Sequence, residues 1–187
     1  MRLRDIDPEA TARQVVEWIS AHLTAVGMAL SPSVEVRATD LSGEPRGLTG
    51  AAWRNTDAGR AAYVLAVYAQ SGQVPDDAPV AEYMLSLGQA LWSAPHPGVF
   101  AAVPYPWGDG AGEPVEAVDV ILCAVQARET MATEERVSVR ELAALASIGE
   151  HSLRRVSSRG DGPRVDGGSV DCGEARRWLS GRGVAGV

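Results

Sequence analysis

The spacing of apolar and polar positions predicts four helices in the first 133 residues of the chain. In the first, apolar residues recur every three or four positions between Ala12 and Val26. Asp7 and Pro8 suit its start, because aspartate caps helices and proline favours their first position, and Gly27 suits its end. The other three predicted helices cover residues 57–72, 78–92 and 114–133. The segment 62–69 also suits a strand, since it is rich in Val and Tyr.

Proline and glycine interrupt this pattern twice. Residues 40–50 and 93–112 are too rich in both residue types for regular helix, so they predict loops. Alternating apolar and polar side chains over residues 34–39 favour a short strand. We therefore expect a mainly α protein in two domains. Residues 1–132 form a helical domain, with room for this strand or a hairpin, and residues 133–187 form a smaller one.

A more specific pattern begins at Ser138. Ser138 and Glu141 form an S-x-x-E capping box, which starts a helix that runs to Ala146. A break at residues 147–149 precedes a second short helix over residues 150–156. A crossing helix pair needs apolar contacts, and a small residue where the backbones approach. The small residue here is Ala143, and the apolar positions are Leu142, Ala146, Ile148, Leu153 and Val156.

This helix pair resembles the helix-turn-helix of bacterial DNA-binding proteins. Two positions depart from the family pattern: Ser147 stands where the turn usually has glycine, and Gly149 stands where the cap is usually Ser or Thr. A non-glycine residue in a left-handed turn costs about 1–2 kcal/mol, which packing can offset. Glycine is an acceptable helix cap. The helix-turn-helix pattern is therefore retained.

The segment after the helix pair extends the resemblance. Residues 159–170 are glycine-rich between two short apolar points, which is typical of a β-hairpin. Residues 171–174 suit the start of a closing helix, whose Trp178 and Leu179 we expect to return to the core. Residues 137–183 thus resemble the winged helix-turn-helix of the MerR-like and excisionase-like group. That group includes transcriptional regulators, recombination directionality factors and phage small terminase subunits.

The resemblance implies which residues contact DNA. The second helix enters the major groove, where arginine pairs with guanine and glutamate accepts from cytosine. The hairpin grips the adjacent phosphates or the minor groove. Arg140, Arg176 and Arg177 are weaker candidates for phosphate contact, because arginines on short exposed helices are often only solvated surface. The implied DNA-binding residues are Glu150, His151, Arg154, Arg155 and Ser158 on the helix, and Arg159 and Arg164 beside the hairpin.

Charge and composition limit the remaining functions. Residues 1–127 hold seven arginines and fifteen acidic residues, a net charge of −8. Residues 128–187 hold ten arginines and nine acidic residues, a net charge of +1, so an anionic partner is expected only at this end. The chain has no apolar run near the ~20 residues of a membrane span and no apolar signal core. We therefore expect a cytoplasmic protein without membrane contact.

No catalytic, metal or cofactor site is expected. His22, His96 and His151 lack metal-ligand spacing to the two cysteines, and none has a local partner for acid–base or nucleophilic chemistry. Cys123 suits the apolar side of a helix. Cys172 stands near a helix start, which can lower the pKa of a thiol, but no base or second cysteine accompanies it. The sequence therefore predicts a protein that is not an enzyme.

The sequence favours sequence-specific binding of double-stranded DNA, by a bacterial or phage transcriptional regulator or a mobile-element accessory factor. A single module contacts only a few base pairs, so residues 1–132 are expected to supply dimerisation or contact with a partner protein. The alternative is an interaction adaptor whose winged fold contacts a protein instead of DNA. The low net charge of the C-terminal residues favours that alternative.

Overall fold

The computed structural model describes residues 1–30, 52–92 and 113–187. This part of the chain is mainly helical, and its strands form one small antiparallel sheet. The helices are α1 (Pro8–Leu30), α2 (Asp57–Ser71), α3 (Val80–Trp92), α4 (Glu113–Thr133), α5 (Val139–Leu145), α6 (Glu150–Ser158) and α7 (Cys172–Gly181). The strands are β1 (Arg136–Ser138), β2 (Val165–Asp166) and β3 (Ser169–Asp171). The strand predicted over residues 34–39 and the two predicted loops lie outside the described residues.

The four helices predicted in the first 133 residues are confirmed as α1 to α4. The start of α1 is as expected, because the Asp7 carboxylate accepts hydrogen bonds from the Glu9 and Ala10 backbone N–H groups at 2.9 and 3.2 Å. The helix continues past Gly27 to Leu30, so the predicted end at that glycine is wrong. A glycine inside a helix costs only about 1 kcal/mol relative to alanine, which does not end a long helix by itself.

The structure decides the open choice for residues 62–69, which are helical. Residues at helical spacing along α2 are buried, namely Ala61, Ala62, Leu65, Ala66 and Ala69, and one strand face would not collect them. The helix ends at Gly72, whose φ of +74° is a left-handed conformation that glycine adopts at no steric cost. The Val and Tyr content of this segment therefore does not outweigh its helical period.

The chain divides into two compact units. One consists of residues 1–6, 64–78 and 117–187, and the other of residues 7–63 and 79–116. The C-terminal residues thus share a unit with most of α4 and with two earlier segments. The predicted domain boundary near residue 133 stays a prediction.

The unit of residues 7–63 and 79–116 buries the apolar side of α1. Val15 is fully buried, and Trp18 is only 7% exposed. The exposed rim of this unit carries ion pairs, including one between the Arg54 guanidinium and the Glu9 carboxylate at 2.8 Å. Exposed pairs of this kind contribute little to stability, so the buried apolar side chains hold the unit together.

The unit that contains the C-terminus is organised around α4. Val118, Ile121 and Val125 are fully buried on one side of this helix, as its helical period predicts. The N-terminal segment is held by the Gln70 side-chain amide, which donates to the Leu3 and Ile6 carbonyls at 3.0 and 2.7 Å. In the described part of the chain, every buried side-chain nitrogen and oxygen has a hydrogen-bond partner.

A buried arginine joins α4 to the last residues of the chain. Arg128 is 5% exposed, and its guanidinium donates to the carbonyls of Ala69, Ala185 and Gly186 at 2.9–3.1 Å. No described carboxylate pairs with this guanidinium, and burial lowers its pKa. The backbones of Gly72 and Gly186 cross beside it, so that a Cβ on Gly72 would lie 2.7 Å from the Gly186 Cα. Only glycine fits this crossing.

Candidate nucleic-acid interface

The predicted capping box at the start of α5 is confirmed. The Ser138 hydroxyl accepts from the Glu141 N–H, and the Glu141 carboxylate accepts from the Ser138 N–H, both at 3.2 Å. Two of the helix's unpaired N–H groups are thereby satisfied. This local arrangement fixes where α5 begins, and with it the position of the turn that follows.

The turn between α5 and α6 is left-handed at Ser147, as expected from the sequence. Its φ is +56°, in a region that glycine usually occupies. The Ser147 hydroxyl accepts a hydrogen bond from the Arg4 backbone N–H at 3.2 Å, a contact that a glycine would lack. Gly149 then caps α6 in an extended conformation without a side-chain bond.

The inner side of the helix pair is apolar as predicted. Leu142 and Leu153 have no exposed surface, and Ala143 and Ala146 are also buried. Ile148 and Val156, the other two predicted apolar positions, are half-buried. Burying a leucine on each helix stabilises the crossing by about 1.5–3 kcal/mol per side chain and fixes which face of α6 points outward.

The outer face of α6 carries the five helix residues that the resemblance to the helix-turn-helix implies as DNA-binding residues. Successive members are one or three residues apart, which places them on one side of the helix, and all are exposed. The Ser158 hydroxyl donates to the Arg155 carbonyl at 2.9 Å, which leaves its lone pairs available as acceptors. We call this surface the α6 face; it consists of Glu150, His151, Arg154, Arg155 and Ser158.

The glycine-rich segment forms the predicted hairpin. Strands β2 and β3 pair antiparallel, and the two residues between them, Gly167 and Gly168, have φ values of +57° and +85°. Positive φ at both central residues is the type I′ turn, whose twist matches the strands that it joins. We call residues 166–169 the hairpin tip.

The arginines beside the hairpin are both exposed. Arg159 directly follows α6, and Arg164 immediately precedes β2. The Arg164 backbone N–H donates to the Glu174 carboxylate at 2.7 Å, so the base of the hairpin is attached to the first turn of α7. In that turn, Asp171 caps α7 by accepting from the Glu174 N–H at 2.8 Å. Leu179 returns to the core as predicted, while Trp178 is only half-buried.

The strand β1 was not predicted from the sequence. It pairs antiparallel with β3, so that the sheet order is β1-β3-β2 and Val137 lies opposite Val170. Both valines are fully buried. Three residues are too few to show an alternating pattern, which is why this strand leaves no signal of its own. It attaches the hairpin to the start of α5.

The described arginines differ in whether a carboxylate neutralises them. Arg140 forms two hydrogen bonds with Asp119, at 2.6 and 2.7 Å, which raise the pKa of its guanidinium. Because Asp119 neutralises it, Arg140 is a still weaker candidate for phosphate contact than its sequence position indicates. Arg176 and Arg177 are exposed on α7. No carboxylate in the described part forms an ion pair with any of the arginines proposed for DNA, which are Arg154, Arg155, Arg159 and Arg164.

The two cysteines are free thiols, Cys123 half-buried and Cys172 buried. Burial raises the pKa of the Cys123 thiol and that of the Cys172 thiol, so both are protonated at neutral pH. At Cys172, which stands at the start of α7, burial outweighs the neighbouring Arg176 guanidinium, which acts to lower the pKa of the thiol. Within the described ranges, no group of three His, Cys, Asp or Glu residues could hold a metal ion, and no helix is long and apolar enough to cross a membrane.

Comparison with known proteins adds no relative to this picture. Neither the family models nor the curated proteins nor the solved structures contain a match to this chain.

Proposed function

We propose that this protein binds double-stranded DNA sequence-specifically, with the α6 face in the major groove and the hairpin on the adjacent backbone. One observation carries the proposal. Arg154, Arg155, Arg159 and Arg164 are exposed and have no described carboxylate partner, whereas Arg54, Arg60 and Arg140 are each paired with one. An α-helix fits the major groove of DNA, and arginines that have no carboxylate partner in the protein can bind phosphates and guanine.

The order of elements supports the same function. A helix, a tight turn, a second helix, a hairpin and a closing helix follow one another, as in the winged helix-turn-helix group that the sequence resembles. The buried Leu153 keeps α6 seated on α5 with its arginines outward. A rigidly seated helix places its side chains against base edges with little loss of entropy on binding.

We further propose that the protein acts as a dimer, as a transcriptional regulator or a mobile-element accessory factor. One α6 covers only a few base pairs, so useful specificity needs a second copy on the next half-site. Half-sites about 10 base pairs apart, or a multiple of that spacing, would present both α6 faces to one side of the duplex. Sedimentation of the protein with and without the selected duplex tests this stoichiometry.

The decisive experiment is selection of a preferred site from random duplexes with the full chain, followed by titration at several salt concentrations. Arg154→Ala or Arg155→Ala is expected to lose about 1–3 kcal/mol on the selected site and to relax base preference. Arg159→Ala or Arg164→Ala is expected to weaken all sequences alike and to lower the salt slope by about one.

The matched control is Arg60→Ala, which removes an exposed arginine from α2 and is expected to leave DNA affinity unchanged. Failure of the wild-type protein to retain any duplex at about 50 mM salt, where electrostatic binding is strong, would refute the proposal.

The second candidate is a protein-interaction adaptor. It is favoured by the net charge of residues 128–187, which is only +1, and by two exposed carboxylates, Asp161 before the hairpin and Asp166 at its tip. A partner protein captured with an affinity that depends weakly on salt, and without competition from duplex DNA, would establish this function instead.

A further inference from the structure

Arg136 reaches from β1 across the sheet to the hairpin tip. Its Nε donates to the Ser169 hydroxyl at 2.8 Å, and its Nη2 donates to the backbone carbonyls of Asp166 and Ser169 at 3.0 and 3.3 Å. The guanidinium is therefore fixed by three neutral acceptors. Nothing in the sequence pattern singles out this residue, because β1 itself has no periodic signal.

The same guanidinium lies beside the one acidic side chain of the hairpin tip. Arg136 Nη2 is 3.8 Å from the Asp166 carboxylate, whose side chain is 78% exposed. The neighbouring Gly167 and Gly168 carry no side chain, and a Cβ on either would meet nothing within 4 Å. Asp166 is thus the charge that the tip presents to its surroundings.

An unneutralised carboxylate at this place conflicts with DNA binding. If the hairpin lies on the phosphate backbone, Asp166 approaches a second set of negative charges across a short distance. Arg136 compensates this charge, and it does so from a fixed position because its hydrogen bonds go to the backbone of the tip.

We propose that Arg136 is a positioning residue for DNA binding, which neutralises Asp166 and thereby allows the hairpin tip to approach phosphates. This inference rests on the proposed function. It adds a residue that contacts no DNA itself and acts through the charge and placement of the tip.

The test is a double-mutant cycle in the full chain, with the duplex that the wild-type protein selects as the probe. Arg136→Gln leaves Asp166 uncompensated and is expected to weaken binding about tenfold at moderate salt. Asp166→Asn leaves the backbone acceptors in place and frees one positive charge, so it is expected to tighten binding about twofold to fivefold. The double variant, whose tip is neutral again, is expected to bind within about threefold of the wild type.

Each alternative gives a different result. If Arg136 contacts a phosphate directly, the double variant stays as weak as Arg136→Gln and its salt slope falls by about one. If the tip lies away from DNA, Arg136→Gln and Asp166→Asn both bind like the wild type. Either result overturns the proposal.

A matched control removes an exposed arginine elsewhere in the chain. Arg60→Gln breaks an exposed Arg–Asp pair on α2 and is expected to leave affinity unchanged. If Arg136→Gln does not fold, Asp166→Asn alone decides, since binding no tighter than that of the wild type overturns the proposal. Loss of all duplex binding by the wild-type protein would instead refute the proposed function.

Discussion

Two neighbouring residues on α6 differ in exposure. Leu153 has no exposed surface, whereas Arg154 is exposed and unpaired with any described carboxylate. We predict that Leu153→Ala lowers the free energy of unfolding by about 2–5 kcal/mol, because it removes a core side chain and leaves a cavity. Arg154→Ala is expected to change it by less than about 0.5 kcal/mol while weakening DNA binding. Urea denaturation and DNA titration of both variants test this, and equal stability losses would contradict the observed helix register.

Tyr68 is expected to lower the free energy of unfolding at alkaline pH. Burial, together with the hydrogen bond from its hydroxyl to the Glu129 carboxylate at 2.7 Å, raises the pKa of Tyr68 to about 12. The unfolded chain ionises this phenol near pH 10. The neutral phenol therefore contributes its full stabilisation below about pH 10, and this contribution is lost as the pH rises through about 12.

We predict that Tyr68→Phe loses less stability than the wild type between pH 9 and pH 12. Denaturant unfolding at several pH values in this range measures the difference. Tyr83→Phe serves as the matched control and should retain the wild-type alkaline loss. A Tyr68→Phe protein with the same loss as the wild type would show that another group is responsible.

At the scale of elements, the Arg128 guanidinium connects α4 to the chain's last residues by hydrogen bonds. Arg128→Met is expected to lower the free energy of unfolding by about 1–3 kcal/mol, since it leaves the buried Ala69 carbonyl without a donor. Arg140→Met removes an exposed ion pair in the same unit and should cost less than about 1 kcal/mol. Thermal unfolding of both variants provides the comparison, and similar losses would contradict the special role of Arg128.

Local signals explain which elements could be predicted from the sequence. The capping box at Ser138, the left-handed position of Ser147 and the hairpin of the glycine-rich segment each depend on a few neighbouring residues, and all are found as expected. The seven residues proposed for DNA are all exposed, which follows from the same helix and hairpin pattern.

Contacts between distant segments could not be predicted in this way. Arg128 is bound by carbonyls that lie 57–59 residues away, and backbone carbonyls leave no mark in a sequence. The partner of Arg136 at the hairpin tip became apparent only with the pairing of β1 and β3. Side-chain identity indicates that an arginine needs acceptors, but it does not indicate which ones.

At the scale of the molecule, the compact unit that holds the C-terminus is assembled from three separate segments. A fragment of residues 113–187 keeps the bonds from Arg128 to Ala185 and Gly186, whereas a fragment of residues 134–187 loses them. We predict that the longer fragment unfolds at a higher urea concentration, and that the full chain exceeds both, because only it supplies the Ala69 carbonyl and residues 1–6. Circular dichroism during urea titration measures the order. Equal midpoints for the two fragments would favour a self-sufficient domain that begins near residue 133.

The burial of Arg128 has a consequence for proteolysis. All seventeen basic residues are arginines, so trypsin can cut this chain only after arginine. A protease binds its substrate as an extended strand, and Arg128 lies inside a helix with its side chain enclosed. Cleavage after Arg128 therefore requires the unit to open, while exposed Arg182, in the terminal turn, needs only local fraying. Cleavage after Arg182 releases Ala185 and Gly186, whose carbonyls hold Arg128, so both cleavage rates must be measured on the intact chain. The ratio of these two initial rates becomes an internal gauge of how often the unit opens, readable by mass spectrometry without any label.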